Sequence, residues 1–137
     1  MTTINAKKGD LVSLINGLYA VQDIPGKTFG LAVSKNVQVL QEALRDLEEL
    51  GKPSQEFMEL AQKVNAITEE GAEDSKDKIA ELELENVELV QSRRDQIDKT
   101  QIAMAEEMSI ELRMIKEDEL PEVMTAKQLT ALQLVLE

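Results

Sequence analysis

The stretch AEDSKDKIAELELENVELVQSRRDQIDKTQIAMAEEMSIELRMIKEDEL, Ala72–Leu120, runs 49 residues without a proline, a glycine or an aromatic side chain. Almost every residue in it favours helix, so the composition predicts one long helix. At ~1.5 Å rise per residue that helix reaches roughly 60–70 Å. A compact domain of this length has a radius of gyration of only roughly 14 Å. The expectation is an elongated helical object, a shape that works by touching other macromolecules rather than by enclosing a substrate.

Counted as heptads from Ile79, six of twelve seam positions in this stretch are apolar; in eleven-residue steps, which bring in Val90, Leu112, Met104, Ile115, Ile97 and Met108, eight of twelve are. The longer repeat predicts a nearly straight helix or a slight right-handed wrap.

Working outward, the remaining segments also read as helices. Leu11, Leu14, Ile15, Leu18 and Val21 follow helical spacing behind Asp10, a good N-cap, which predicts helix one over 10–22. Ile24-Pro25-Gly26 is a turn. From Thr28, a second cap, Val33, Val37, Leu40, Leu44 and Leu47 form one seam. Gly51-Lys52-Pro53 breaks it, giving 28–50 and, restarting at Ser54, 54–68 with Phe57, Leu60, Ala61, Val64 and Ile67 on one side. An acidic loop over 69–74 leads to the long helix at 75–118. Leu120-Pro121 ends it, and Thr125 with Gln128 matches a capping box before a terminal helix at 126–136.

The lengths suggest an assembly. Thr28 to Thr68 is 41 residues and Ser75 to Asp118 is 44, joined by a six-residue loop. The predicted fold is a single all-α domain, 1–137: an elongated antiparallel helical hairpin with a small helical base formed by the N- and C-terminal helices. The base gathers Leu11, Leu14, Ile15, Leu18, Leu129, Leu132 and Val135 as an apolar docking surface. The tip carries Glu69, Glu70, Glu73, Asp74 and Asp77. Two packed arms leave Val39, Leu84, Val87 and Ile102 without a place, and a homo-oligomer is the simplest way to cover them.

Charge and composition remove many functions. The net charge is −12 at pH 7, and all of the excess lies in residues 53–137, where nine basic side chains face twenty-one acidic ones. Such a surface repels nucleic acid, whose binding rests on phosphate neutralisation. The acidic side chains serve solubility, and they lack the regular spacing that phosphate mimicry needs. The apolar run Leu11–Val21 falls short of the ~20 residues that cross a bilayer, and no cleavage site follows it. A soluble chain without membrane contact is expected.

The chain has no histidine and no cysteine, which removes the commonest general base, metal ligand and thiol nucleophile. No cofactor and no enzyme activity are expected. The enzyme reading to weigh is a magnesium site built on Glu56 and Glu59 with Glu85 and Glu88. These pairs resemble in part the all-α nucleotide pyrophosphohydrolases, whose pattern is a Glu-x-x-Glu pair followed by Glu-x-x-Asp. The second element is missing here, and Asp74-x-x-Asp77 falls at the loop. That loop lacks the ligand alternation of an EF-hand. Gly26-Lys27-Thr28 echoes the end of a phosphate-binding loop, but Val21 stands where its opening glycine belongs. Met104, Met108, Met114 and Met124 are read as core fillers. Arg93 and Arg94 are read as sources of ion pairs, with Arg93 on the seam able to set register against a glutamate of the other arm.

Leu11-Val12-Ser13-Leu14-Ile15-Asn16-Gly17-Leu18-Tyr19, then Asp23 to Gly26, Phe29 and Ala32-Val33-Ser34-Lys35-Asn36-Val37, resembles an uncharacterised family of small helical proteins encoded by tailed bacteriophages, a domain of unknown function. The ending Asp118-Glu119-Leu120-Pro121-Glu122, with Leu129 and Leu132, is similar to that family's close. The resemblance covers both ends of the chain and implies a phage origin without an established activity. It points to a virion structural or assembly component, in the cytoplasm of the infected cell or in the virion, whose partners are itself and other phage structural proteins. The alternative is an inhibitor of a host protein acting through the acidic surface.

Overall fold

A computed structural model describes residues Met1–Glu137. The chain is mostly helical: α1 (Lys8–Val21), α2 (Lys27–Ala43), α3 (Arg45–Gly51), α4 (Gln55–Glu70), α5 (Ser75–Glu85), α6 (Val87–Met104) and α7 (Ala126–Ala131). It is not strictly all-α. Strands β1 (Thr2–Lys7) and β2 (Glu107–Leu112) pair antiparallel, from Thr2 opposite Leu112 to Lys7 opposite Glu107. Single 3-10 turns occupy Glu117–Glu119 and Gln133–Val135.

The predicted helix over 75–118 is therefore corrected at two places. At Asn86 the side-chain amide donates to the carbonyl of Leu82 at 2.9 Å, and the main-chain N–H is shared between Leu82 and Glu83. An asparagine that competes for helix carbonyls in this way interrupts the ladder. Past Met104 the chain turns and becomes β2, whose Ile110 and Leu112 are buried while Glu107, Ser109 and Glu111 are exposed. That alternation is the period of a half-buried strand.

The chain divides into two compact units where the sequence suggests one domain: Met1–Glu48 with Ile102–Glu137, and Glu49–Gln101. The first holds the hydrophobic core. All five apolar positions predicted for helix one are buried, with Phe29, Val33 and Leu40 from α2, Leu44 between α2 and α3, Leu47 from α3, Ile110 and Leu112 from β2, and Ile115, Leu132 and Val135. Met104, Met108 and Met124 pack against this cluster as partly buried side chains. Two expected caps differ. β1 runs directly into α1 because the ladder continues with Lys8 N–H donating to the Glu106 carbonyl at 2.9 Å, so Asp10 lies in the first turn, where its charge suits the helix dipole. Helix α2 begins at Lys27 behind Gly26, whose φ of 142° excludes most side chains, rather than behind Thr28.

α1 packs on α7 at Gly17, a buried glycine. A Cβ placed there meets the Ala131 Cβ at 2.9 Å and its carbonyl oxygen at 3.1 Å. Gly17→Ala is expected to destabilise by about 1–3 kcal/mol through overpacking, and Ala131→Gly is expected to recover part of the loss. Chemical denaturation of the two single variants and the double variant measures both.

In Glu49–Gln101 the N-cap Ser54 accepts from the Phe57 N–H at 3.2 Å. Gly71 closes α4 in the left-handed conformation, φ 63°, where glycine carries no steric penalty. Across this turn α4 packs on α5, and Ser75 Oγ donates to the Ile67 carbonyl at 3.4 Å. Further from the turn, Arg93 Nη1 donates to the Gly51 carbonyl at 2.9 Å, and Gln96 Nε2 to the Leu50 and Lys52 carbonyls at 2.9 and 2.5 Å. Arg93 sits 5.7 Å from the centre of the Phe57 ring. It thus sets its position through main-chain oxygen and an aromatic face, correcting the expected glutamate partner.

Candidate interaction surfaces

The residues expected to form an apolar docking base are interior. Leu11, Leu14, Ile15, Leu18, Leu132 and Val135 are buried within the first unit, and Leu129 is half-buried. No partner reaches the six without unfolding the unit, so their role is corrected from docking surface to core. Both ends of the chain do meet there, as α1 packs on α7, but α2 and β2 complete the enclosure that the expected two-helix base left open.

The expected acidic loop residues Glu69, Glu70, Glu73, Asp74 and Asp77 are all exposed. Glu69 and Glu70 form the last turn of α4, where negative charge opposes the helix dipole. Asp77 lies in the first turn of α5, where it is favourable. Lys78 approaches Asp74 at 3.7 Å as an exposed pair, a contact of small energetic value.

The carboxylates weighed for metal chemistry, Glu56, Glu59, Glu85 and Glu88, are exposed, and no group of three or more acidic side chains converges to hold an ion. A shallow open depression is bounded by Gly26, Lys27 and Thr28 on one side and by Asp118, Glu119 and Leu120 on the other. No helix is long and apolar enough to cross a membrane.

No protein-family model, curated protein or solved structure matches this chain.

Two features escape a reading by spacing. The first is Asn36, fully buried in α2. Its Nδ2 donates to the Arg113 carbonyl at 2.9 Å, and its Oδ1 accepts from the Arg113 N–H at 2.8 Å. One side chain thereby satisfies both main-chain groups of the residue that follows β2. The Arg113 guanidinium reaches Glu119 at 3.2 Å, so chain exit, helix and 3-10 turn meet at one point. An asparagine within an otherwise apolar seam position is the only sequence signal for it. The second is the edge of the two-stranded sheet, where Thr2, Thr3, Asn5 and Lys7 of β1 are exposed.

Apolar side chains are also exposed on the second unit. Leu84 is 76% exposed and Val87 60%. In the whole of Glu49–Gln101 only Leu60 is buried.

Proposed function

We propose that this chain acts without catalysis, through contacts with other proteins, as a virion structural or assembly component of a tailed phage. In this reading Gln55–Glu70 and Ser75–Gln101 are the arms of an antiparallel helical hairpin, and self-association is part of the assembly. The observation that carries it is the burial of the second unit: a single buried leucine with Leu84 and Val87 in solvent. Helices that bury so little apolar surface on their own gain stability from a partner. The hairpin is supported by opposed partners along the chain, Ser75 with Ile67 beside the turn and Arg93 with Gly51 far from it. The phage setting is supported by the resemblance of both chain ends.

The test is quantitative mass spectrometry of purified particles alongside lysate of infected cells. Many copies per particle, or a stable complex with particle proteins in the lysate, is the expected result. Absence from both overturns the reading.

A second reading, inhibition of a host protein through the acidic loop, is favoured by one observation. Glu69 and Glu70 sit where they oppose the α4 dipole, a placement that serves binding better than stability. Reversal of both to lysine is expected to preserve or slightly raise the melting temperature. Incorporation into particles is expected to survive it if the first reading holds. Loss of a salt-sensitive complex with a basic host protein on the same reversal is the outcome that favours inhibition.

A further inference from the structure

We infer that the outer edge of β1 is a self-pairing surface, on which a second copy of this chain adds its own β1 antiparallel to make a four-stranded sheet. The inference rests on the self-association in the reading above and names the surface that performs it.

The register decides which main-chain groups are free. Lys8 bonds to Glu106, and the ladder continues from Lys7 opposite Glu107 to Thr2 opposite Leu112. Bonded and non-bonded pairs alternate in an antiparallel ladder, so Ile4, Ala6 and Lys8 turn their polar groups toward β2, while Thr3, Asn5 and Lys7 turn theirs outward. Nothing in the chain bonds to Thr3 or Asn5 from outside the sheet, and their side chains are exposed; at Lys7, the N-cap of α1, the carbonyl serves the first turn of the helix and the N–H is the outward group. A strand edge left open in this way is a template for another strand, and an isolated two-stranded ribbon gains from extension.

Charge and register select the occupant. Two β1 strands paired about Asn5 exchange both main-chain bonds between the two Asn5 residues. On each side they place Lys7 opposite Thr3 of the other copy, so the Lys7 N–H meets the Thr3 carbonyl. Ile4 and Ala6 then face each other on the side that the core already buries. No like charges oppose. Residues 1–9 carry Lys7 and Lys8 and no acid, in a chain whose net charge is −12, so this is an edge where two copies meet without carboxylate repulsion. The outer edge of β2 does not offer such pairing. Self-pairing of β2 about Ser109 sets Glu107 against Glu111 of the second copy, and the next outward position, Arg113, is already occupied by Asn36. Asn5 itself accepts from Ser109 Oγ through its Oδ1, which leaves its Nδ2 free at the two-fold axis.

The experiment is analytical ultracentrifugation of the full chain and of Asn5→Asp and Asn5→Lys, with circular dichroism as the check on folding. Wild type is expected to dimerise. Each variant sets like charges directly opposite at the axis and is expected to self-associate ~10-fold more weakly, and an equal mixture of the two is expected to recover the affinity as a heterodimer. A wild-type chain that stays monomeric at every concentration overturns the inference, while particle composition still judges the functional reading. A dimer that neither variant weakens, or a mixture that recovers nothing, also overturns it and leaves self-association to another surface.

Discussion

Leu132→Ala is expected to lower the unfolding free energy by about 2–5 kcal/mol, the range for truncating a buried leucine. Leu132 has no exposed surface and lies among the side chains that α1, α2 and β2 turn inward. Its loss removes transfer energy and leaves a cavity, because a core enclosed on several sides cannot collapse onto the vacancy. Leu84→Ala is the matched control: with Leu84 largely in solvent, a change within about 0.5 kcal/mol is expected. Urea unfolding of the purified chain distinguishes the two. If Leu132→Ala instead left stability intact and abolished only assembly, the leucine would be a docking residue and the core assignment would fall.

The second large effect belongs to Asn36. Asn36→Ala removes both hydrogen bonds to the Arg113 main chain and leaves a donor and an acceptor unpaired at the end of β2, and is expected to destabilise by about 2–4 kcal/mol. Asn36→Leu fits the apolar surroundings better but restores neither bond, so it is expected to remain destabilised relative to wild type. Hydrogen exchange localises the effect: protection of the Arg113 amide is expected to fall first, followed by β2, since the Asn36 side chain takes the place of a neighbouring strand at that residue. Equal stability of Asn36→Leu and wild type would show that water satisfies Arg113 and that the buried amide is dispensable.

These two residues illustrate why the site was harder to read than the helices. Leu132 was legible as apolar and helical in spacing, but whether an apolar cluster faces a partner or closes on itself depends on how many elements surround it. Two helices leave a face open, whereas the observed core adds α2 and β2 to α1 and to Leu132 and Val135, which follow α7. Asn36 follows Val33 by three positions, on the apolar face of α2, but spacing does not say what a polar side chain there bonds. Its importance comes from Arg113, 77 positions away.

The helices themselves are local matters, and spacing and punctuation sufficed for most of them. Helical periodicity placed the buried face of α1; in α2 it placed Val33 and Leu40 but not Phe29, Ala32 and Asn36, and Val37 is only half-buried. Ser54 and Thr125 act as caps because a side-chain oxygen three residues before a free N–H reaches it without tertiary help. Gly71 stops α4 through backbone geometry alone, whereas Pro121 does not end the long helix expected to run up to it, which already stops at Met104.

Only the tertiary structure decided where the long helix ends. Glu107–Leu112 is composed largely of residues that favour helix, yet its alternation of exposed glutamate and serine with buried isoleucine and leucine suits a strand. What tips the balance is Thr2–Lys7, which supplies the main-chain partners from the opposite end of the chain. Strand preference is a property of the pleated surface a residue finds rather than of the residue alone. A helix satisfies its hydrogen bonds within a few residues and can be read locally, whereas a strand takes them from another segment, and that segment is known only once the chain is folded.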